Sequence, residues 1–258
     1  MSALVAEQIT AGYGRVPIVQ GVCLSGESGK VVSLVGPNGA GKSTFLKSIF
    51  GLLRQTTGRV VVDGQDVSGW RPHRIARSGM AYVPQVENVF VSMSVVENLE
   101  MGGFVRRQGM QQRITDVLDI FPDLAAARHK KAGELSGGQR NMLGMARALM
   151  LDPKVLLLDE PTAGLAPMYV KVVWEQVRRI AGTGTAVVVV EQNVDLALDH
   201  SDWVQVLVAG QTRLEGPPAV VKAEDLPSLF LGGGRSRGSG AEPAAIASQA
   251  AHGGDRSA

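Results

Sequence analysis

One segment of the chain combines glycines, a lysine and two hydroxyl residues at the spacing that binds phosphate. It reads GPNGAGKST and consists of Gly36, Pro37, Asn38, Gly39, Ala40, Gly41, Lys42, Ser43 and Thr44. It fits the pattern G-x-x-x-x-G-K-[ST] and lies between an apolar run and a predicted helix. Glycines let the backbone N–H groups turn toward phosphate oxygens, and the helix start adds its positive dipole end. We predict that Lys42 reaches the β- and γ-phosphates of a nucleotide and that Ser43 binds Mg²⁺.

Two acidic residues follow a second apolar run, in VLLLDEP. An aspartate at the end of a buried strand is costly unless it is hydrogen-bonded or bound to a metal. Asp159 is therefore the predicted partner of Mg²⁺. Glu160 follows at the carboxyl end of the strand, where α/β sheets place ligands. As a general base it could polarise the water that attacks the γ-phosphate. The alternative is an acidic pair that caps a helix.

The segment ELSGGQRNMLGMARALM begins with a helix cap. Ser136 and Gln139 form an S-x-x-Q capping box, and apolar residues follow at helical spacing. The cap does not explain Gly137 and Gly138, which weaken a first turn unless another group approaches the backbone closely. A helix start without side chains is a phosphate-binding surface. We therefore predict that these four residues contact a nucleotide.

The elements that must position these residues alternate between short apolar strands and helices. Helical stretches separate the predicted strands, which are VVSLVG, KVLLLD, TAVVVVEQ and DWVQVLVAG. This order predicts an α/β fold with a mostly parallel sheet. Earlier segments, around VAEQITAGYG, PIVQGVCLSG and GRVVVDGQDV, are short strands split by glycine turns, which predicts an N-terminal antiparallel β patch.

The domain organisation follows from length and composition. The chain has 258 residues, so we expect one domain of two lobes at residues 4–231. A helical lobe is inserted at about residues 90–150, where residues 90–134 lack strong strands. Residues 232–258 are rich in Gly, Ala and Ser and are predicted to be a disordered tail.

Composition excludes several functional classes. Lys plus Arg number 26 and Asp plus Glu 24, so no nucleic-acid-binding surface is indicated. The single cysteine, Cys23, cannot form an internal disulfide and is expected to be a small buried residue. No apolar run approaches the ~20 residues of a membrane helix. No signal peptide is apparent, so we expect a cytosolic chain. If it works at a membrane, we expect it at the cytoplasmic face, held there by other subunits.

Taken together, these motifs resemble the ATP-binding-cassette (ABC) family. Leu135–Gln139 matches the family signature LSGGQ and lies between the phosphate loop and LLLDE, in the family's order. The resemblance implies that Gln85, in YVPQ, contacts Mg²⁺ and the attacking water, and that Tyr13, in GYG, stacks on adenine. It also implies a head-to-tail dimer in which each ATP lies between one phosphate loop and the other chain's signature.

Within the family, the chain looks like the smaller ATPase subunit of branched-chain amino-acid importers. Three segments are similar to that subfamily: GLAP in EPTAGLAP, VVEQN and LFLGG. Gln192 stands where most relatives have histidine, and we expect it to remain a hydrogen-bond donor in a slower site. The alternative is that Gln192 only ends its strand. The chain departs from the subfamily in lacking Gly-Arg after Pro84–Gln85, and in its extra tail.

The resemblance implies several partners. They are a second ABC ATPase (in a heterodimer or a homodimer), two membrane permeases and, indirectly, an extracytoplasmic solute-binding protein. Two other classes stay open: a soluble ABC ATPase of DNA repair or translation, and a regulatory nucleotide-binding subunit with low turnover. The first usually has two cassettes or a long coiled coil, and this sequence has neither. Neighbouring genes would separate these classes.

Overall fold

The structure is a computed structural model that describes residues 2–86, 88–104 and 108–230. The strands are β1 (Ser2–Gly12), β2 (Val19–Glu27), β3 (Val31–Val35), β4 (Gln55–Val62), β5 (Gln65–Asp66), β6 (Met80–Val83), β7 (Val155–Asp159), β8 (Ala186–Glu191), β9 (Trp203–Val208) and β10 (Gln211–Gly216). The helices are α1 (Lys42–Ile49), α2 (Pro72–Arg77), α3 (Val95–Gly102), α4 (Met110–Ile120), α5 (Pro122–Ala126), α6 (Gly137–Leu149), α7 (Pro167–Gly182), α8 (Val194–His200), α9 (Pro218–Lys222) and α10 (Leu226–Phe230). A short 3₁₀ turn spans Ala132–Glu134.

The larger sheet has the strand order β10-β9-β3-β8-β7-β6. Every pairing in it is parallel except that of β9 with β10, which confirms the predicted mostly parallel sheet. Every residue of β3, β7 and β8 is buried. Continuous runs of valine and leucine suit such strands because helices or a second sheet cover both faces.

The register of this sheet places several predicted site residues at one edge. Val35 pairs with Glu191, and Asp159 pairs with Val190. Because parallel strands end at the same edge, the residues that follow β3, β6, β7 and β8 lie close together there.

The smaller sheet is antiparallel throughout, with the order β2-β1-β4-β5. This confirms the predicted N-terminal antiparallel patch. Its apolar residues form one core with α1 and alternate residues of β8, including Leu4, Phe45 and Val188. The other face of the larger sheet forms a second core with α7 and with the helices between residues 95 and 149, around Trp174 and Phe121.

Helices α3 to α6 occupy the segment in which a helical lobe was predicted. The boundaries of that lobe and of the 4–231 domain stay predictions. The predicted tail at residues 232–258 lies outside the described residues. None of the helices in the described ranges is long and apolar enough to cross a membrane.

The expectation that Cys23 is buried is wrong, because its side chain is exposed. Cys23 lies within β2, where its neighbours Val22 and Leu24 are buried. Successive side chains of a strand point to opposite faces, so Cys23 must face outward when both neighbours face the core. The larger sheet also has one strand that was not predicted. DWVQVLVAG, which forms β9, was the last predicted strand, but β10 follows it in the chain and pairs with it.

Candidate nucleotide-binding and hydrolysis site

The phosphate loop connects β3 to α1 and needs glycine at two of its positions. Gly36 has a φ of 154°, and a side chain there would lie 2.1 Å from the Leu207 carbonyl oxygen. Gly41, the residue before α1, is in the left-handed region with a φ of 99°. Other residues rarely adopt these conformations, so the loop geometry depends on the glycines that define the motif. Of the remaining motif residues, Asn38 and Gly39 are exposed, whereas Ala40 and Thr44 are buried.

Lys42 lies inside this loop rather than on the surface. It is buried, and its Nζ donates to the carbonyl oxygens of Gly36, at 2.8 Å, and Pro37, at 3.1 Å. Burial lowers the pKa of the Lys42 ammonium, while the nearby carboxyl groups of Glu160, Asp159 and Glu191 act in the opposite direction. The loop therefore holds a buried cation next to a group of acidic residues.

Asp159 connects the loop to the end of β7. The Ser43 hydroxyl donates to Asp159 Oδ1 at 2.7 Å, and the Tyr82 hydroxyl donates to Oδ2 at 2.9 Å. Burial, followed by the proximity of Asp159, raises the pKa of the Tyr82 phenol, so this hydroxyl stays a donor. A hydroxyl and a carboxylate oxygen side by side are the hard oxygen ligands that Mg²⁺ uses in nucleotide sites.

Glu160 has its carboxyl group held by two amide side chains. Gln85 Nε2 donates to Glu160 Oε2 at 2.9 Å, and Gln192 Nε2 donates to the same oxygen at 2.7 Å. Glu160 is buried, with a φ of 48°, whereas both glutamines are exposed. The sequence predicted that these three residues act at one site, and the structure brings their side chains into contact. Their catalytic roles stay predictions.

Two further residues at this edge of the sheet, Glu191 and Thr162, were not predicted from the sequence as part of the site. Glu191 is buried, and its carboxyl oxygens accept from the Thr162 hydroxyl at 2.7 Å and from the Gln192 N–H at 3.2 Å. Burial raises the pKa of the Glu191 carboxyl, although these hydrogen bonds act against burial. An acid directly after four valines could have signalled this contact, because a buried strand end tolerates a carboxyl group only with partners.

The signature residues form the predicted cap of α6. Ser136 accepts from the N–H of Gln139, and the Gln139 side chain accepts from the N–H of Ser136. Within the described ranges, the hydrogen bonds of Ser136 and Gln139 stay in this first turn, away from the phosphate loop of the same chain. Gly137 is exposed, as a surface for another chain's nucleotide requires. Asn141, one turn on, donates to the Pro161 carbonyl at 2.9 Å.

The last predicted contact residue, Tyr13, lies just after β1 with 62% of its surface exposed. An exposed aromatic ring is free to stack on a base, which is compatible with its predicted role. Among the described residues, no group of three or more His, Cys, Asp or Glu side chains could hold a metal ion.

The fold and the loop define the class as a P-loop nucleotide-binding ATPase, and comparison with known proteins defines the family. The family model described as "ABC transporter" matches residues 19–163, which is more than half of the chain. This protein belongs to the ABC transporter family, as an ATP-binding and ATP-hydrolysing subunit.

Individual relatives carry more specific names. The chain is 40% identical to the "Probable branched-chain amino acid transport ATP-binding protein LivF" of Archaeoglobus fulgidus, over 81% of this chain and 89% of that protein. It is 33% identical to the "Lipopolysaccharide export system ATP-binding protein LptB" of Haemophilus influenzae, over 90% of this chain and 98% of that protein. A crystal structure of an ATP-binding cassette of an ABC transporter in its ADP conformation has a TM-score of 0.81 and 28% identity, covering 90% of this chain and 99% of that chain.

Proposed function

We propose that this protein hydrolyses Mg·ATP to power the import of branched-chain or related amino acids through partner permeases. The observation that carries the hydrolytic part is the pair of amide hydrogen bonds that holds the Glu160 carboxyl group beside the phosphate loop. The similarity to the branched-chain amino-acid transport protein supports the class of solute.

In the proposed reaction, Lys42 and the loop N–H groups bind the β- and γ-phosphates. Glu160 accepts a proton from the attacking water, and Gln85 and Gln192 orient its carboxylate without neutralising the charge. Ser43 and Asp159 would hold Mg²⁺, which neutralises phosphate charge when bound.

Docking to the permeases needs an exposed surface, and several apolar side chains are exposed among the described residues of the segment 86–104, which follows Gln85 in the chain. They are Val86, Phe90, Val91, Met101 and Phe104. Exposed apolar groups concentrated in one segment are typical of protein interaction sites. Because this segment follows the Gln85 loop directly, a permease bound there could influence the orientation of Gln85. This supports the proposal that permease contacts are coupled to hydrolysis.

The proposed nucleotide site also needs a second ATPase. The chain has one phosphate loop and one signature, and the structure separates their hydrogen-bond networks. We propose that the signature completes a site on a partner cassette, in a heterodimer or a homodimer. An extracytoplasmic solute-binding protein would deliver the amino acid to the permeases.

A second candidate is an ATPase that powers lipid export. The 33% identity to the lipopolysaccharide export protein favours it, since that similarity covers 90% of this chain. The hydrolytic site would be the same in both, because solute selection belongs to the partner subunits.

Uptake by the purified complex separates the two candidates. The complex would be isolated from membranes through a tag on this chain, placed in liposomes and supplied with its solute-binding protein. We expect ATP-dependent accumulation of leucine, isoleucine or valine, which is absent with Lys42→Ala. Copurification with lipid-export components, and ATP hydrolysis that amino acids and binding protein do not stimulate, would favour the exporter.

A further inference from the structure

The carboxyl group of Glu191 joins two loops that belong to the hydrolytic site. Glu191 has 3% of its surface exposed, and Thr162 has 8%. One carboxyl oxygen accepts from the Thr162 hydroxyl at 2.7 Å, and the other accepts from the Gln192 N–H at 3.2 Å. Thr162 lies two residues after Glu160, in the loop that follows β7, and Gln192 begins the loop that follows β8. The Glu191 side chain therefore contacts both loops.

These contacts restrain the two residues whose relative position matters for the reaction. The Gln192 side chain donates to Glu160 Oε2, and its direction depends on the backbone that Glu191 holds. Glu160 has a φ of 48°, a conformation that surrounding contacts must maintain, and the Thr162 anchor follows in the same loop. A displacement of about 1 Å in such a group can lower the rate roughly 100-fold.

The same loop also contacts the signature helix. Asn141 of α6 donates to the carbonyl oxygen of Pro161, between Glu160 and Thr162. The three-residue segment 160–162 is therefore held from α6 on one side and from Glu191 on the other. Loss of the Glu191 contact would remove the side-chain anchor at Thr162. The segment would then be held through Asn141 and through the Glu160 N–H, which donates to the Val190 carbonyl oxygen at 3.0 Å, and the Glu160 carboxyl group could move relative to Gln192.

We propose that Glu191 is a positioning residue for ATP hydrolysis, which fixes the Gln192 amide and the Thr162 loop so that Glu160 stays aligned. This inference rests on the proposed role of Glu160 as the base. The hydrogen bonds of Lys42 within the phosphate loop do not involve Glu191. Loss of the Thr162 contact, which leaves the Glu191 charge near Lys42 in place, should therefore affect turnover rather than ATP binding.

The test uses variants that separate alignment from stability. Thr162→Val and Glu191→Leu each leave a buried polar group without its partner, whereas the double variant replaces both partners with apolar groups. Replacing both partners of a buried hydrogen bond costs much less stability than replacing one. Turnover would be measured in the purified complex, with the partner ATPase's own catalytic carboxylate replaced if the dimer is a heterodimer.

We expect each single variant to lower both the melting temperature and kcat, with kcat reduced roughly 10- to 100-fold. In Thr162→Val, which keeps the Glu191 charge near Lys42, the KM for ATP should change by less than about threefold. In the double variant the melting temperature should recover in part, because the Gln192 N–H still lacks its acceptor, while kcat stays low. Thr162→Ser keeps the hydroxyl and should restore most of the turnover. When Gln192→Ala is already present, Thr162→Val should lower kcat little further, because the aligned amide is gone.

The matched control is Thr185→Val. Thr185 directly precedes β8, at the end of that strand opposite to Glu191. Thr185 is also buried, and its hydroxyl donates to the Pro153 carbonyl at 3.2 Å. It should lower the melting temperature but change kcat by less than about twofold. Recovery of kcat together with stability in the Thr162→Val/Glu191→Leu double variant would overturn the proposal. A loss of kcat in Thr162→Val no greater than in Thr185→Val would also overturn it.

The failure of this inference can be told apart from a failure of the proposed base. Glu160→Gln would be measured in the same preparation. If that variant turns over at the normal rate, the assignment of Glu160 is wrong. If Glu160→Gln is inactive and Thr162→Val behaves like Thr185→Val, only the positioning role of Glu191 is wrong.

Discussion

At the residue scale, the surroundings of Glu160 give a reason for the glutamine at position 192. Both Gln85 and Gln192 donate to the same carboxyl oxygen of Glu160, at 2.9 and 2.7 Å. Neutral amides can orient a carboxylate without pairing its negative charge, which a base must keep in order to accept a proton. Gln192 therefore has a place in the proposed mechanism that does not depend on a positive charge.

The first prediction concerns Lys42, the cation within the phosphate loop. Lys42→Ala should weaken ATP binding roughly 10- to 100-fold, since hydrogen bonds to charged groups contribute about 1.5–3 kcal/mol. Isothermal titration with Mg·ATP measures the affinity. Lys47→Ala, in the last turn of the same helix, is the control and should bind ATP normally. Normal affinity in folded Lys42→Ala would contradict the assignment of this loop.

At the element scale, the start of α6 depends on close packing against α7. A side-chain carbon at Gly138 would lie 2.8 Å from the Tyr169 ring, whereas one at Gly137 would meet only Leu165, at 3.7 Å. The two glycines therefore serve different purposes. Gly138 allows the helices to approach, and Gly137 leaves the exposed surface of the signature open.

The second prediction follows from this difference. Gly138→Ala should lower the free energy of unfolding by about 1–3 kcal/mol, because the added methyl group overlaps the Tyr169 ring. Gly137→Ala, its matched control, should cost no stability, since alanine favours a helix and finds space there. Urea unfolding of both variants measures the difference. Equal stabilities would show that the approach of α6 to α7 is not tight.

The third prediction concerns Asp202, which links the start of β3 to α7. Burial opposes ionisation of Asp202, but hydrogen bonds from the Val31 N–H, Arg178 and Lys30 outweigh it and lower the pKa of this carboxyl. A lowered pKa in the folded state adds stability above the ordinary value near 4, and that stability is lost as the pH falls through the folded value.

Asp202→Asn should therefore lower the free energy of unfolding by roughly 1 kcal/mol at pH 7. The difference from the unchanged protein should shrink below about pH 4. Denaturant unfolding across this pH range measures it, with Glu175→Gln on the exposed side of α7 as the control. A difference that stays constant with pH would contradict the contribution of the ionised Asp202.

At the scale of the whole molecule, local motifs were predictable from their spacing, whereas the grouping of residues from distant segments was predicted only through the family resemblance, without their individual contacts. The phosphate loop is contiguous, so its spacing alone indicates its geometry. The contacts of Gln85 and Gln192 with Glu160 depend on the order of β6, β7 and β8, which no local pattern specifies. Cys23 was misplaced because its exposure depends on which face of β2 packs on the core. The Thr162–Glu191 contact was missed for the same reason as the Glu160 contacts.

The fourth prediction uses the whole assembly. In a dimer with a partner ATPase, Gly137→Asp places a carboxylate where a phosphate must bind in the partner's site. Gln192→Ala affects only this chain's own site, which we expect to be the slower of the two, so Gly137→Asp should lower the ATPase rate of a heterodimeric complex more. Gln192→His should leave turnover unchanged or raise it modestly. Steady-state hydrolysis by the reconstituted complex measures all three. Equal losses in Gly137→Asp and Gln192→Ala would contradict this asymmetry.

The central claim is that Glu160 is the base for ATP hydrolysis in this chain. The most direct measurement is phosphate release from ATP by the complex carrying Glu160→Gln, with the partner's catalytic carboxylate also replaced in a heterodimer. We expect ATP to bind with unchanged affinity, a closed dimer to accumulate, and turnover to fall at least about 100-fold. Turnover at the normal rate, with no accumulation of the closed dimer, would show that another group accepts the proton.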